Sequence, residues 1–196
     1  MAVVVYAVFI HAPAGPRSLR VFDPDRVAAL ELGMWQAYYA KHRLRLFGGL
    51  VTLLHEQNRY SWARSVQAAF YLARAAARFG DMRGDYETVL PDLERAYAIQ
   101  KEWVGAAFDP QAVARAELAW WVARRVPGQD SPEQVGDLIA QENALLYDVP
   151  RERVLAASIL RARAGRLRDD GGDRADWPAV HALLSQSYRE LHAAVQ

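Results

Sequence analysis

The chain holds 196 residues, 35 of them alanine, with 24 basic against 23 acidic side chains and no cysteine. That length supports one compact domain or two small ones, and the lack of cysteine excludes disulfide scaffolds, iron–sulfur clusters, thiolate zinc sites and cysteine nucleophiles, making a reducing cytoplasm the expected setting. A net charge of +1 is too balanced for a nucleic-acid-binding field, and 22 arginines against Lys41 and Lys101 alone is the usage of a GC-rich bacterial genome.

Residues 1–21 read as an apolar N-terminal arm. Residues 1–10 are all apolar, yet a membrane-crossing helix needs about 20, and the Pro- and Gly-containing stretch 11–16 ends the run. No basic segment precedes it, as a secretory signal would require. Val3, Val5 and Phe9 are expected to pack against the rest of the chain or against a second copy in a homo-oligomer.

Residues 22–196 are expected to form a single helical domain. Asp23 is placed to cap a helix with Pro24 in its first turn and Phe22 stapled onto Val27, over residues 24–45. A second helix is expected over 47–58, a third over 62–80 between Ser61 and Gly80, and a fourth over 91–106, opened by Pro91. Four more follow over 110–126, 132–147, 151–168 and 178–194. No stretch in this region alternates with a period of two, so the expected fold class is all-α.

The second half repeats the first. Setting residues 22–35 over 108–121 gives eight identities in fourteen positions at one offset of 86, among them Phe22/Phe108, Asp23/Asp109, Pro24/Pro110, Glu31/Glu117 and Trp35/Trp121. The offset carries Glu56 onto Glu142, and with two residues inserted Val66, Ala68, Ala69 and Leu72 fall on Val154, Ala156, Ala157 and Leu160. The expected architecture is therefore a helical bundle made by internal duplication of a four-helix unit, with repeats 22–107 and 108–196 related by a pseudo-twofold axis.

Residues present in both repeats mark the place where two copies would converge. Glu31 lies four residues from both Val27 and Trp35, and Glu117 stands likewise between Val113 and Trp121, so each projects from an apolar helical face. Glu142 shares a side with Val135, Leu138, Ile139 and Leu145, and Glu56 with Leu53 and Tyr60. An ionised carboxylate on such a face costs several kcal/mol unless it is paired, protonated or metal-bound. Arginine is one answer, and 22 are at hand. The other is a metal site built from Glu31, Glu56, Glu117 and Glu142, whose hard oxygen ligands suit iron or manganese. Trp35, Tyr38, Trp120 and Trp121 form an aromatic belt beside it, the expected lining of an apolar ligand pocket.

In its four helices, four glutamates and internal duplication this site resembles the carboxylate di-metal centre of ferritin-like proteins. The resemblance implies a metal-dependent oxidoreductase. The Glu-x-x-His signature of that family is absent, since the third residues after the four glutamates are Met34, Arg59, Trp120 and Leu145. The alternative is a non-catalytic helical protein that binds an apolar small molecule or a protein partner. Gly-rich phosphate loops and a G-x-S-x-G nucleophile elbow are both missing, and neither lysine has a neighbour suited to Schiff-base chemistry.

Overall fold

Capping side chains start most of the helices. Asp23 Oδ1 accepts from the backbone N–H groups of Asp25 and Arg26, both at 3.0 Å, and Asp109 accepts from Gln111 at the same distance. Ser61, Ser131 and Asp176 cap three further starts, each cap satisfying a backbone donor that the first turn leaves open. The computed structural model describes residues 10–196, so the expectations for Val3, Val5 and Phe9 lie outside the described residues. Its helices are α1 (Pro24–Tyr39), α2 (Arg43–Glu56), α3 (Trp62–Asp81), α4 (Leu90–Val104), α5 (Pro110–Ala123), α6 (Pro132–Tyr147), α7 (Arg151–Gly171) and α8 (Trp177–Val195). A 3-10 turn, Tyr86–Val89, leads into α4, and another, Gly172–Arg174, follows α7.

The all-α expectation holds for the described residues, which contain no strand. The largest departure from the expected helix bounds lies between the first two helices. The first helix stops at Tyr39 instead of running to residue 45, because Lys41 takes a left-handed φ of 55°. The N–H of His42 then bonds back to the Ala37 carbonyl at 2.8 Å and that of Lys41 to Tyr38 at 3.0 Å. This is the Schellman closure that glycine usually makes, and with lysine in the glycine's place the sequence carries no stop signal. Helix α2 restarts at once, four residues ahead of expectation, with His42 as the residue before it.

Each helix packs chiefly on its two neighbours in the chain, and α8 closes on α1, so the eight helices form a ring. Buried apolar side chains fill the seams of that ring. Phe79, Leu93, Tyr97 and Leu118 join α3, α4 and α5, while Val154, Leu191 and Val195 join α7 and α8 beside Ala140 of α6. The middle is lined from all eight helices. The chain ahead of α1 straps across the bundle: Arg59 Nη1 donates to the Ala14 carbonyl at 2.6 Å, and the Arg17 guanidinium stacks 3.9 Å over Trp103. Further on, Arg20 Nη2 donates to the Tyr147 carbonyl, and Gln196 donates to the Arg20 carbonyl, both at 2.7 Å. Among the described residues no helix is long and apolar enough to cross a membrane.

The seam between α6 and α7 depends on Gly136, where an added Cβ would stand 2.7 Å from Ile159 Cα. Gly136→Ala is expected to lower the unfolding free energy by about 1–2 kcal/mol, overpacking outweighing the helix-propensity gain. Gly48→Ala, in α2 with no heavy atom within 4 Å of the added carbon, is expected to raise it by about 0.5–1 kcal/mol. Urea denaturation of the two variants beside the parent measures both signs.

Candidate functional site

The ring surrounds a partly open cavity of about 600 Å³ whose lining includes Trp35, Tyr38, Trp120 and Trp121 together with Glu31, Glu117 and Glu142. Glu31 reaches it from the buried stripe of α1 that holds Val27, Ala28 and Met34. Arg161 comes from the facing stripe of α7, seven residues beyond buried Val154 and four beyond Ala157. Tyr188 follows buried Leu184 of α8 by four. The three side chains meet. Glu31, 5% exposed, accepts from Trp35 Nε1 at 3.2 Å and from Arg161 Nε at 3.1 Å. It also accepts from Arg161 Nη2 and the Tyr188 hydroxyl. Four N–H or O–H donors on one carboxylate offset the cost of taking it out of water.

Glu142 is the acceptor of a neighbouring cluster, taking hydrogen bonds from the Tyr97 hydroxyl at 3.0 Å and from Trp120 Nε1. Glu117 lies next to it and also meets Tyr97, but its Oε2 is sealed from solvent with no hydrogen-bond partner. Burial, then the charge of Glu142, pushes the Glu117 carboxyl up to about 8. Burial also raises Glu142, against the pull of Arg161 and the hydrogen bonds from Trp120 and Tyr97. Burial disfavours the Arg161 cation, yet the charge and hydrogen bond of Glu31, joined by Tyr188 and Glu142, together outweigh it and hold Arg161 protonated. Tyr97, Tyr147 and Tyr188 are pushed upward by burial and nearby carboxylates, so their hydroxyls stay neutral donors. Three carboxyl groups thus share one guanidinium.

The lining also includes Arg124, Arg125 and Asp169. Arg124 Nη2 bonds Asp169 Oδ2 at 2.7 Å and the Tyr39 hydroxyl at 3.0 Å. Arg125 Nη1 donates to the Phe79 and Met82 carbonyls at 2.7 and 3.1 Å while stacking 3.8 Å over the Phe79 ring. Both guanidinium groups therefore have structural partners at the end of α3 and along α7.

The four glutamates do not converge as the sequence reading expected. Glu31, Glu117 and Glu142 share the cavity, but Glu56 is exposed and its two oxygens accept from Arg26 Nε and Nη2 at 2.7 and 3.0 Å. The reason lies in helix length. Helix α2 ends at Glu56, leaving that side chain on the outside of its last turn, whereas α6 runs five residues beyond Glu142; Gln57 and Asn58 line the cavity from the α2 side. Glu31 in turn is taken by Arg161, the arginine answer to a buried carboxylate. Among the described residues no group of three or more His, Asp or Glu side chains is arranged to hold a metal ion.

Histidines stand apart from the three glutamates. His55 stacks on Trp62 and lies 2.8 Å from the Tyr60 carbonyl, and His192 meets the Phe22 ring edge-on. Arg161, Tyr97, Tyr147 and Tyr188 escaped the sequence reading because it searched for residues present in both repeats. Arg161 nonetheless carried a signal, a charge at helical spacing on the stripe of Val154, Ala157 and Ser158.

Comparison with protein-family models, with curated proteins and with solved structures returned no match to this chain.

The shifted carboxyls make stability depend on pH. Between the ordinary carboxyl value near 4.5 and about 8, folded Glu117 keeps a proton that the unfolded chain has lost. Its contribution is therefore full below the lower value and disappears as pH rises through the upper one. Glu117→Gln is expected to flatten the decline of the melting temperature between pH 5 and 9. Arg161→Met, which leaves three carboxyls without a cation, is expected to cost about 3–5 kcal/mol at pH 7.5 and less at pH 5, where protonation relieves the repulsion. Calorimetry of the three proteins across that range checks both expectations.

Proposed function

We propose that this chain is a helical small-molecule-binding protein whose ligand occupies the space at the centre of the ring. The observation that carries the reading is the cavity itself. Its volume of about 600 Å³ falls inside the range of roughly 300–1,000 Å³ typical of ligand sites, and it combines aromatic walls with a few convergent polar groups. Solvent or a ligand fills a space of that size, and the tryptophan and tyrosine faces favour an apolar body over water.

The duplication forms part of this proposal. The neighbour pattern of the ring repeats after four helices, with α1–α2, α2–α3, α3–α4 and α4–α5 matched by α5–α6, α6–α7, α7–α8 and α8–α1. That order accommodates two four-helix units that bury their inner faces around a common space. On this reading Glu31 and Glu117 are equivalent positions that have since acquired different partners.

A second reading keeps iron or manganese at the same wall and with it a metal-dependent oxidoreductase. One observation favours it: Glu142 lies close enough for its charge to raise the proton affinity of Glu117, and Glu117 retains an oxygen without a partner.

The two readings separate in solution. The neutral dye N-phenyl-1-naphthylamine is expected to bind one molecule per chain with enhanced emission. Ala76→Trp, which fills part of the lining, is expected to weaken that binding at least tenfold while the far-ultraviolet circular dichroism is unchanged. Absence of one-to-one dye binding, together with stoichiometric iron or manganese after loading, favours the metal reading instead.

A further inference from the structure

The wall that holds Glu31, Glu117 and Glu142 is short of positive charge. Arg161 is committed to Glu31 through Nε and Nη2, and the donors on Glu142, the Tyr97 hydroxyl and Trp120 Nε1, are both neutral. Three carboxyls are thus set against one guanidinium at this wall, beside an apolar space. A buried carboxylate without a cationic partner costs several kcal/mol. The Glu117 Oε2 atom is the second indication. It is sealed from solvent and has no partner, and a buried polar atom of that kind calls for a water, an ion or a ligand group that completes it.

We infer that the ligand of this cavity is an organic cation, an ammonium group on an apolar body, with its charged head seated between Glu117 and Glu142. The inference rests on the small-molecule reading above and names the chemical class. An ammonium N–H would supply the donor that Glu117 lacks and bring Glu142 a cationic partner in place of neutral donors alone. The indole and phenol faces of Trp35, Trp120 and Tyr97 add cation–π attraction at such a wall; the Arg161 guanidinium already lies 4.7 Å from the Trp120 ring centre. The cavity is far larger than a metal ion and its first ligands require, and its apolar lining suits the body of an amphipathic amine. A carboxylate ligand would meet like charge at the same wall. Away from that wall, Arg124 is paired with Asp169 and Arg125 is anchored on the Phe79 and Met82 carbonyls at the end of α3.

The test compares three ligands with one body and different heads at pH 7.5: 1-naphthylmethylammonium, 1-naphthylmethanol and 1-naphthoate, by calorimetric titration of the full chain. The ammonium is expected to bind at least tenfold tighter than the alcohol, and the carboxylate weakest. Glu117→Gln is expected to weaken ammonium binding about tenfold while leaving alcohol affinity within twofold. Equal or tighter binding of the alcohol or the carboxylate overturns the cationic ligand and leaves the cavity reading standing. Failure of all three, and of the neutral dye, removes both. Iron or manganese binding lost in Glu117→Gln, with no ammonium binding to the parent, assigns the wall to a metal. The comparison of heads on the unmodified chain decides the matter even if Glu117→Gln fails to fold.

Discussion

Arg161 reaches Glu31 from the middle of α7 and lies within electrostatic range of Glu117 and Glu142, so the interior of the ring is organised around a single guanidinium serving three carboxyl groups. The Glu31 contact does more than balance charge. Its carboxylate belongs to α1, while Arg161 and Tyr188 belong to α7 and α8, so the first helix is tied to the last two where the ring closes. A hydrogen-bonded ion pair in a low-dielectric interior is directional in a way that apolar contact is not. The closure of α8 on α1 accordingly has a preferred register as well as a buried area.

The ring geometry explains why an open centre persists. Apolar side chains fill the seams between consecutive helices, and no helix crosses the middle, so the inner faces have nothing of comparable size to meet. Large aromatics narrow the space without filling it. Trp120 and Trp121 approach each other edge-on at 6.1 Å between centres, and Tyr38 and Tyr39 at 5.1 Å. The polar groups among them are each oriented by a partner on a different helix, as a binding site requires.

Like positions meet unlike surroundings inside the cavity. Glu31 in α1 and Glu117 in α5 each stand four residues before a tryptophan, yet one accepts from a guanidinium and a phenol while the other keeps an oxygen without a donor. Tyr97, Arg161 and Tyr188 set these environments, leaving one carboxylate paired and one carboxyl of raised proton affinity. Environment separates the roles of two identical side chains, as it does in acid–base pairs generally.

The helices themselves were legible in the sequence because their signals are local: Asp23 with Pro24, Asp109 with Pro110, and the serine caps satisfy nearby backbone donors whatever the rest of the chain does. The buried faces of Glu31 and Glu142 and the aromatic belt followed from helical spacing for the same reason. The break at Lys41 did not, since it uses a left-handed lysine where glycine would have announced the turn. Nor did the outward placement of Glu56, which depends on where α2 ends and on Arg26 of α1 waiting beside it. Sequence spacing determines which face of a helix a carboxylate occupies. Which guanidinium, phenol or open space that face meets is decided only when eight helices close into a ring, because the partners of Glu31 lie 130 and 157 residues away along the chain.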